Sequence, residues 1–411
     1  MLESHVAIAV FLAFAFAYFL SAASRAVTAT LAPSLVAEFA LQPRDLGLLA
    51  GGYFLGFAAM QLPMGQWLDR YGPRAVVLGF LGVAVAGCAV FAVASGFSGL
   101  LAGRVLCGAG VSACLMAPLT GFRRWMAPET QLRANSWMLM TGSLGMVAST
   151  LPVQWLLPLA GWRPLFWALA LLLLLSMLLI AFRVPPWSGA PGLEGREALP
   201  PSGYGAVWRH PYFRRLAPLG FFTYGGMVAM QRLWAGPWMQ RVSGYSPLEA
   251  AAGLFAINLA MLCAYWAWGM VNPWLMRRAG GADPVMAVLL PLPLVVLAGI
   301  VLAGGSAGGG AWALYCVATS CVTLSQPALA MAFPQAMAGR ALSAFNLVMF
   351  LGVFCVQWGI GLAVDAFVAA GWSEPSAFRA TMVAFGVCSA LSYAWFMVRG
   401  RRHNAVHPIT P

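Results

Sequence analysis

Residues 65–74 read GQWLDRYGPR, a polar stretch with one acidic and two basic side chains between two long apolar runs. The runs, 46–68 leading into it and 75–94 after it, each have the roughly 20 residues that an α-helix needs to cross a bilayer. Because basic residues concentrate where membrane helices end, the stretch predicts the turn between two membrane spans.

The rest of the chain repeats this pattern. Of its 411 residues 61% are hydrophobic and only 8% are charged, which are too few charges to cover a soluble protein of this size. We therefore predict an all-α membrane protein with twelve transmembrane helices. The predicted spans are residues 6–31, 46–68, 75–94, 100–120, 135–157, 165–182, 216–238, 250–271, 285–303, 311–334, 342–364 and 380–398.

A segment rich in proline, glycine and charge separates the sixth and seventh predicted spans. It predicts an N-terminal six-helix bundle in residues 1–184, a cytoplasmic loop in 185–213, a C-terminal six-helix bundle in 214–400 and a cytoplasmic tail in 401–411. Arg70-x-Gly72 is echoed 208 positions later by Arg278-x-Gly280. Parallel repeats of this kind are common in transporters, so the echo supports two related halves.

All 23 basic residues are arginines, and the net charge is +12. With the N-terminus inside, sixteen arginines fall in cytoplasmic loops and four in outer loops. This bias predicts that both termini are cytoplasmic, and it explains the basic charge without a nucleic-acid partner. We expect a multi-pass protein of a bacterial inner membrane, with the lipid bilayer as its main solvent.

Arg25, Arg104 and Arg232 fall inside predicted spans 1, 4 and 7. A charge at the centre of a membrane helix costs about 2.5–3.5 kcal/mol on insertion scales, so such residues are functional candidates. Arg25 and Arg232 are 207 positions apart, close to the repeat offset, so that they face each other or, with a shift of one residue, Arg25 faces Gln231. In either register we expect the two arginines to bind an anionic group. In the alternative interpretation, an arginine bonds a backbone carbonyl or a helix end, and Arg104 serves in helix packing or gating.

Polar side chains on the same helices complete the predicted site. Spacings of three and four residues place Tyr18, Ser21 and Arg25 on one helix face, and span 10 carries a polar stripe at similar spacing. The candidate substrate-binding residues are Arg25, Arg232, Tyr18, Ser21, Tyr224, Gln231, Trp234, Tyr315 and Gln326.

The stretch Gly65–Arg74 resembles the loop signature GxxxDRxGxR of the major facilitator superfamily, and Arg104-x-x-x-Gly108-x-Gly110 resembles that superfamily's second signature. The likeness in span number and central loop covers the whole chain. It implies two pseudo-symmetric six-helix bundles, transport by alternating access, and a central cavity lined by spans 1, 4, 7 and 10.

The resemblance also implies a gating motif, formed by Gly65, Asp69, Arg70, Gly72, Arg74, Arg104 and Gly108. In this interpretation the Asp69 carboxylate meets the N-terminal dipole of span 11, which we expect to begin near Arg340–Ser343. Gly65 would allow the close approach.

These observations predict a secondary active transporter of a small solute, with an organic anion favoured. We expect a monomer without cofactor or metal, and no enzyme, because no His, Asp or Glu lies deep within a predicted span. Uptake is favoured, because span 5 lacks the GPxxGG ending of the superfamily's drug–proton antiporters. One alternative is a broad-specificity exporter of drugs or amphiphiles, which the 21 Met and 17 Trp suggest, and another is a non-transporting membrane sensor.

Overall fold

A computed structural model describes residues 3–126, 128–187 and 204–406 of the chain. Every regular element in these ranges is helical. Ten of the described helices are long and apolar enough to cross a membrane, or eleven if one bent pair counts as a single span. The predicted all-α membrane fold is therefore confirmed, whereas the count of twelve spans and the orientation of the termini stay predictions.

The chain forms two compact units. Unit 1 comprises Met1–Leu41 with Leu48–Pro201, and unit 2 comprises Gln42–Gly47 with Ser202–Pro411. Helix α2 is shared, because its first turn groups with unit 2 and its remainder with unit 1. The predicted loop 185–213 falls partly on residues 188–203, which lie outside the described ranges.

Unit 1 is built from eight helical segments. They are α1 (Ser4–Phe39), α2 (Pro43–Ala59), α3 (Gln61–Ala92), α4 (Phe97–Val111), α5 (Ala113–Trp125), α6 (Pro128–Ala148), α7 (Leu151–Ala160) and α8 (Trp162–Arg183). Small residues let these helices pack closely: a Cβ at Gly108 of α4 would collide with the Tyr53 carbonyl of α2, and one at Gly110 with the backbone at Ala84 of α3.

Unit 2 contains more irregular helices. Its α-helices are α9 (Gly205–Arg209), α10 (Pro211–Pro218), α11 (Gly225–Ala229), α12 (Ala235–Arg241), α13 (Pro247–Ala279), α14 (Ala282–Leu289), α15 (Pro291–Ala303), α16 (Gly309–Thr319), α17 (Ser325–Met331), α18 (Gln335–Ala369) and α19 (Glu374–Val406). Two π-helical segments, Leu219–Tyr224 and Met230–Trp234, interrupt the stretch from α10 to α12. Two 3₁₀ segments, Gly304–Ser306 and Ser320–Leu324, flank α16.

The chain kinks inside α3 at Gly72, whose φ of +76° lies in the left-handed region that glycine tolerates best. This kink lies within residues 65–74, where the sequence predicts the turn between the second and third spans. Two other predictions differ from the structure. The fifth predicted span is broken, because residues Trp137–Ala148 and Leu151–Ala160 are bent by 42°. The predicted start of span 11 near Arg340–Ser343 is wrong: α18 begins at Gln335, directly after Pro334. Arg340–Ser343 therefore lie inside the helix and not at its first, dipole-exposed turn.

One end of unit 2 is held by a polar network. Asp283 forms an ion pair with Arg215 and accepts a hydrogen bond from the Tyr212 hydroxyl at 2.6 Å. Arg215 also donates from Nε to the Phe396 carbonyl at 2.9 Å, which ties α10, α14 and α19 together. Burial, reinforced by the hydrogen bond to Asp283, raises the pKa of Tyr212, so its hydroxyl stays protonated and remains a donor.

Candidate functional site

Two arginines of unit 1 lie against aromatic rings of α2. The Arg104 guanidinium, 1% exposed, lies over the Tyr53 ring at 4.7 Å, and that of Arg25 lies over the Phe57 ring at 5.3 Å. The two rings are themselves stacked, with centroids 6.4 Å apart. The negative faces of the rings therefore offset part of the cost of placing two cations in unit 1.

Arg104 also holds the backbone beside Arg25. Its Nη1 donates to the carbonyl of Ser24 at 2.9 Å, and the Tyr53 hydroxyl donates to the Ser21 carbonyl at 3.4 Å and interacts with Arg25. These contacts from α2 and α4 hold about one turn of α1, between Ser21 and Ser24. Arg104 therefore makes a helix-packing contact, whether or not it also serves in gating. This contact holds the backbone at Ser24, the residue before Arg25.

Tyr18 and Ser21 lie near the middle of α1, within two turns before Arg25. Ser21 Oγ donates to the carbonyl of Val111 at 3.4 Å, so this hydrogen bond joins α1 to the end of α4. Tyr18 is buried, and its ring fills the space that Gly142 of α6 leaves open, since a Cβ at Gly142 would collide with it. The structure places Tyr18, Ser21 and Arg25 within unit 1, on a helix that other polar and aromatic groups hold in place.

In unit 2, Arg232 and Gln231 lie on the second π-helical segment. Single π turns often occur at functional sites, because the wider turn displaces side chains from the regular helical face. Gln231 Nε2 donates to Asn258 Oδ1 of α13 at 3.0 Å. Arg232 is buried and lies within electrostatic range of the Cys316 thiol of α16.

Trp234, at the end of the second π-helical segment, contacts Gln357 of α18. The Trp234 indole N–H donates to the backbone carbonyl of Gln357 at 3.0 Å. The Gln357 side chain is 0% exposed, and among the described residues neither its amide nitrogen nor its amide oxygen has a hydrogen-bond partner. A wholly buried amide without partners is costly, so a residue of this kind needs an explanation.

The remaining predicted residues of unit 2 are spread along α16 to α18. Tyr315 is buried against Trp312, with ring centroids 5.9 Å apart. The 3₁₀ segment Ser320–Leu324 separates Tyr315 from Gln326, which donates to Asn346 Oδ1 at 3.2 Å. Tyr224 ends the first π-helical segment and packs edge-on against Phe350 of α18.

The predicted gating residues are only partly described. The Asp69 side chain lies outside the described residues. Gly72 makes the kink of α3 and lies against the Trp187 ring, and Arg74 donates to the Ala181 carbonyl at 2.6 Å. Arg70 lies over the Tyr71 ring at 5.2 Å, and a Cβ at Gly65 would meet no atom within 4 Å. The gating role of this motif stays a prediction.

Several residues of these sites were missed by sequence reasoning. They are Tyr53, Phe57, Asn258 and Gln357. Tyr53 and Phe57 are four residues apart within an apolar span, which is also the pattern of ordinary helix packing. Asn258 could have been found, because it is the single amide within the eighth predicted span, and polar side chains at that depth are functional candidates. Over the described ranges, no three His, Cys, Asp or Glu residues lie close enough to hold a metal ion.

Comparison with known proteins places these helices in a family. The sequence model of the Major Facilitator Superfamily matches residues 14–357. "Inner membrane transport protein YajR" of Escherichia coli strain K12 is 29% identical over 145 residues, covering 34% of this chain and 30% of that protein's length.

Solved structures agree with the fold. A bacterial homologue of the human lysosomal transporter Spinster is 18% identical with a TM-score of 0.73, each chain being covered to 98%. The POT family transporter PepTSo is 14% identical with a TM-score of 0.78, with 98% of this chain and 99% of that chain covered. The family model spans most of the chain and the fold agrees over nearly all of it, so this protein belongs to the Major Facilitator Superfamily.

Proposed function

We propose that this protein is a secondary transporter that takes up a small organic anion across a bacterial inner membrane by alternating access. The observation that carries the anion proposal is the placement of Arg25 and Arg104 over aromatic rings of α2. Carboxylates of the described residues pair with arginines near helix ends, as in Glu38 with Arg163 and Asp283 with Arg215. Arg104, by contrast, is in no ion pair there, and its guanidinium lies over the Tyr53 ring.

A cation held on aromatic rings keeps more of its charge available to an anion than one already neutralised by a carboxylate. In unit 1, Arg25 is the candidate to bind the anion, because it is half-buried whereas Arg104 is fully buried. In unit 2, Arg232 is the candidate, on a π-helical segment with Gln231 beside it. We propose that Tyr18, Ser21, Tyr224, Trp234, Tyr315 and Gln326 shape the space around the substrate.

A thermal-shift screen of the detergent-purified protein tests this proposal. Short carboxylates and phosphate esters are compared with neutral sugars and with cationic dyes. We expect anions to raise the melting temperature of the wild type and to lose that effect in Arg25→Gln and Arg232→Gln. Arg241→Gln is the matched control, because Arg241 carries the same charge but lies near Glu374 at the end of α12.

Stabilisation by cationic dyes alone would contradict the anion proposal and favour the exporter. Stabilisation by anions that persists in both arginine variants would show that the anion binds elsewhere.

A further inference from the structure

Helix α19 exposes a stripe of side chains four residues apart. Val387, Leu391 and Trp395 share one helix face and are 53%, 65% and 42% exposed. Arg399 continues the stripe, and its guanidinium lies over the Trp395 ring at 4.3 Å. Along this face the chemistry thus changes from aliphatic to aromatic to cationic.

The aromatic and cationic end of the stripe is anchored. The Trp395 indole N–H donates to the backbone carbonyl of Arg214 at 3.0 Å, which holds the backbone of a second, exposed arginine next to this end of the stripe. Stacking engages the face of the Arg399 guanidinium and leaves its N–H edge available for two parallel bonds to a phosphate. Within the part of the chain that the structure describes, neither arginine takes part in an ion pair.

The stripe also has the height of one membrane leaflet. Val387 and Arg399 are twelve residues apart, or about 18 Å along an α-helix. One leaflet with its headgroups is about 20–22 Å thick. The order of the side chains, aliphatic toward the middle and cationic at the end, matches the order of groups in a phospholipid.

We propose that Val387, Leu391, Trp395, Arg399 and Arg214 form a binding site for one anionic phospholipid. An acyl chain lies along Val387 and Leu391, the glycerol ester region lies beside Trp395, and the phosphate binds Arg399 and Arg214. Two guanidiniums without carboxylate partners favour a headgroup with net negative charge, because the ammonium group of a zwitterionic lipid is repelled. The site is separate from the proposed transport site and does not depend on the transported solute.

Native mass spectrometry of the full chain in detergent, titrated with phosphatidylglycerol or phosphatidylcholine, tests the site. We expect tighter binding of phosphatidylglycerol, and a loss of about fivefold in its affinity in Arg399→Gln, as expected for about 1 kcal/mol per arginine near a lipid surface. Arg214→Gln is expected to act similarly. Trp395→Phe, which keeps a ring but removes the bond to the Arg214 carbonyl, should have an intermediate effect.

Arg278→Gln is the matched control. Arg278 is exposed and lies over a tryptophan four residues earlier, Trp274 at 5.5 Å, but among the described residues the Trp274 indole makes no bond to an arginine carbonyl. An equal loss of affinity in Arg278→Gln would show a diffuse charge effect and overturn the proposal, as would equal binding of both lipids by the wild type. Displacement of the lipid by inorganic phosphate would also overturn it, because the site would then recognise phosphate and not a lipid. Melting temperatures measured in phosphatidylcholine confirm that each variant is folded.

Discussion

The Asp365 carboxylate accepts a hydrogen bond from the backbone N–H of Arg44, with Oδ2 at 3.0 Å from the nitrogen. Arg44 lies in the first turn of α2, where N–H groups lack helical partners and the helix dipole favours an anion. Gly361, one turn earlier on α18, lets the Pro43 carbonyl approach so closely that a Cβ there would collide with it. The Asp365 carboxylate and the close approach at Gly361 therefore help to fix the start of α2 inside unit 2.

Removing this cap should loosen the start of α2. We expect Asp365→Ala to lower the free energy of unfolding by about 1 kcal/mol, as for loss of a helix cap, because the ion pair with the half-exposed Arg44 adds little. Gly361→Ala should cost more, since its Cβ collides with backbone. Melting temperatures in detergent measure both effects, and Glu3→Ala, at an exposed carboxylate that makes no side-chain bond to a helix cap, separates the cap from general loss of charge. No change in Asp365→Ala would contradict the role of the cap.

We expect replacement of Arg104 to act mainly by lowering the stability of the protein. Arg104→Gln removes a buried guanidinium from the Ser24 carbonyl and the Tyr53 ring, and we expect a loss of about 2–4 kcal/mol with a matching drop in melting temperature. Arg104→Lys should be intermediate, because an ammonium cannot stack as a planar group does. Arg25→Gln, at a half-buried position, should leave the melting temperature nearly unchanged. Equal melting temperatures for Arg104→Gln and the wild type would exclude this positioning role.

Gly142 tests the importance of Tyr18. Gly142→Ala inserts a methyl group into the Tyr18 ring, so Tyr18 must move, and we expect weaker substrate binding. Gly79→Ala is the control, because a Cβ there meets no atom within 4 Å and the change should stabilise α3 by up to about 1 kcal/mol. Binding measured in both variants decides the matter: unchanged affinity in Gly142→Ala would remove Tyr18 from the site.

Gln357 offers a test of a buried polar group without a partner. Gln357→Met keeps the shape and the backbone carbonyl that Trp234 uses, while removing an amide whose burial costs about 1–3 kcal/mol. We expect a higher melting temperature together with slower transport, as when a protein retains a destabilising group for function. Asn346→Leu should instead destabilise, because its Oδ1 accepts from Gln326. A lower melting temperature in Gln357→Met would show that the amide is structural.

The membrane fold and the family could be predicted from the sequence, because both depend on long apolar runs and on one short motif, Gly65–Arg74. The start of α18 could not be placed, because Gly339 and Arg340 look like a loop, whereas the helix begins after Pro334. The π-helical segments around Arg232 were also hidden, since they change the number of residues per turn without leaving a mark in composition.

The candidate site was predictable only in its rare residues. Charges such as Arg25 and Arg232 stand out within an apolar span. The rings over which Arg25 and Arg104 lie do not stand out, because Phe57 and Tyr53 are typical of any packed membrane helix. Contacts between helices distant in sequence, such as Arg104 with the Ser24 carbonyl, need the three-dimensional structure.

Transport measured in proteoliposomes tests the central claim most directly. The wild type, Arg25→Gln, Arg232→Gln and the control Arg241→Gln are reconstituted, and exchange of labelled carboxylates is compared with that of a neutral sugar and a cationic dye. We predict that the wild type and Arg241→Gln carry carboxylates only, and that each of the other variants loses at least about tenfold in transport, as expected when a charge-assisted hydrogen bond is removed. Transport of the dye or sugar by the wild type, with no effect of either substitution, would contradict the claim.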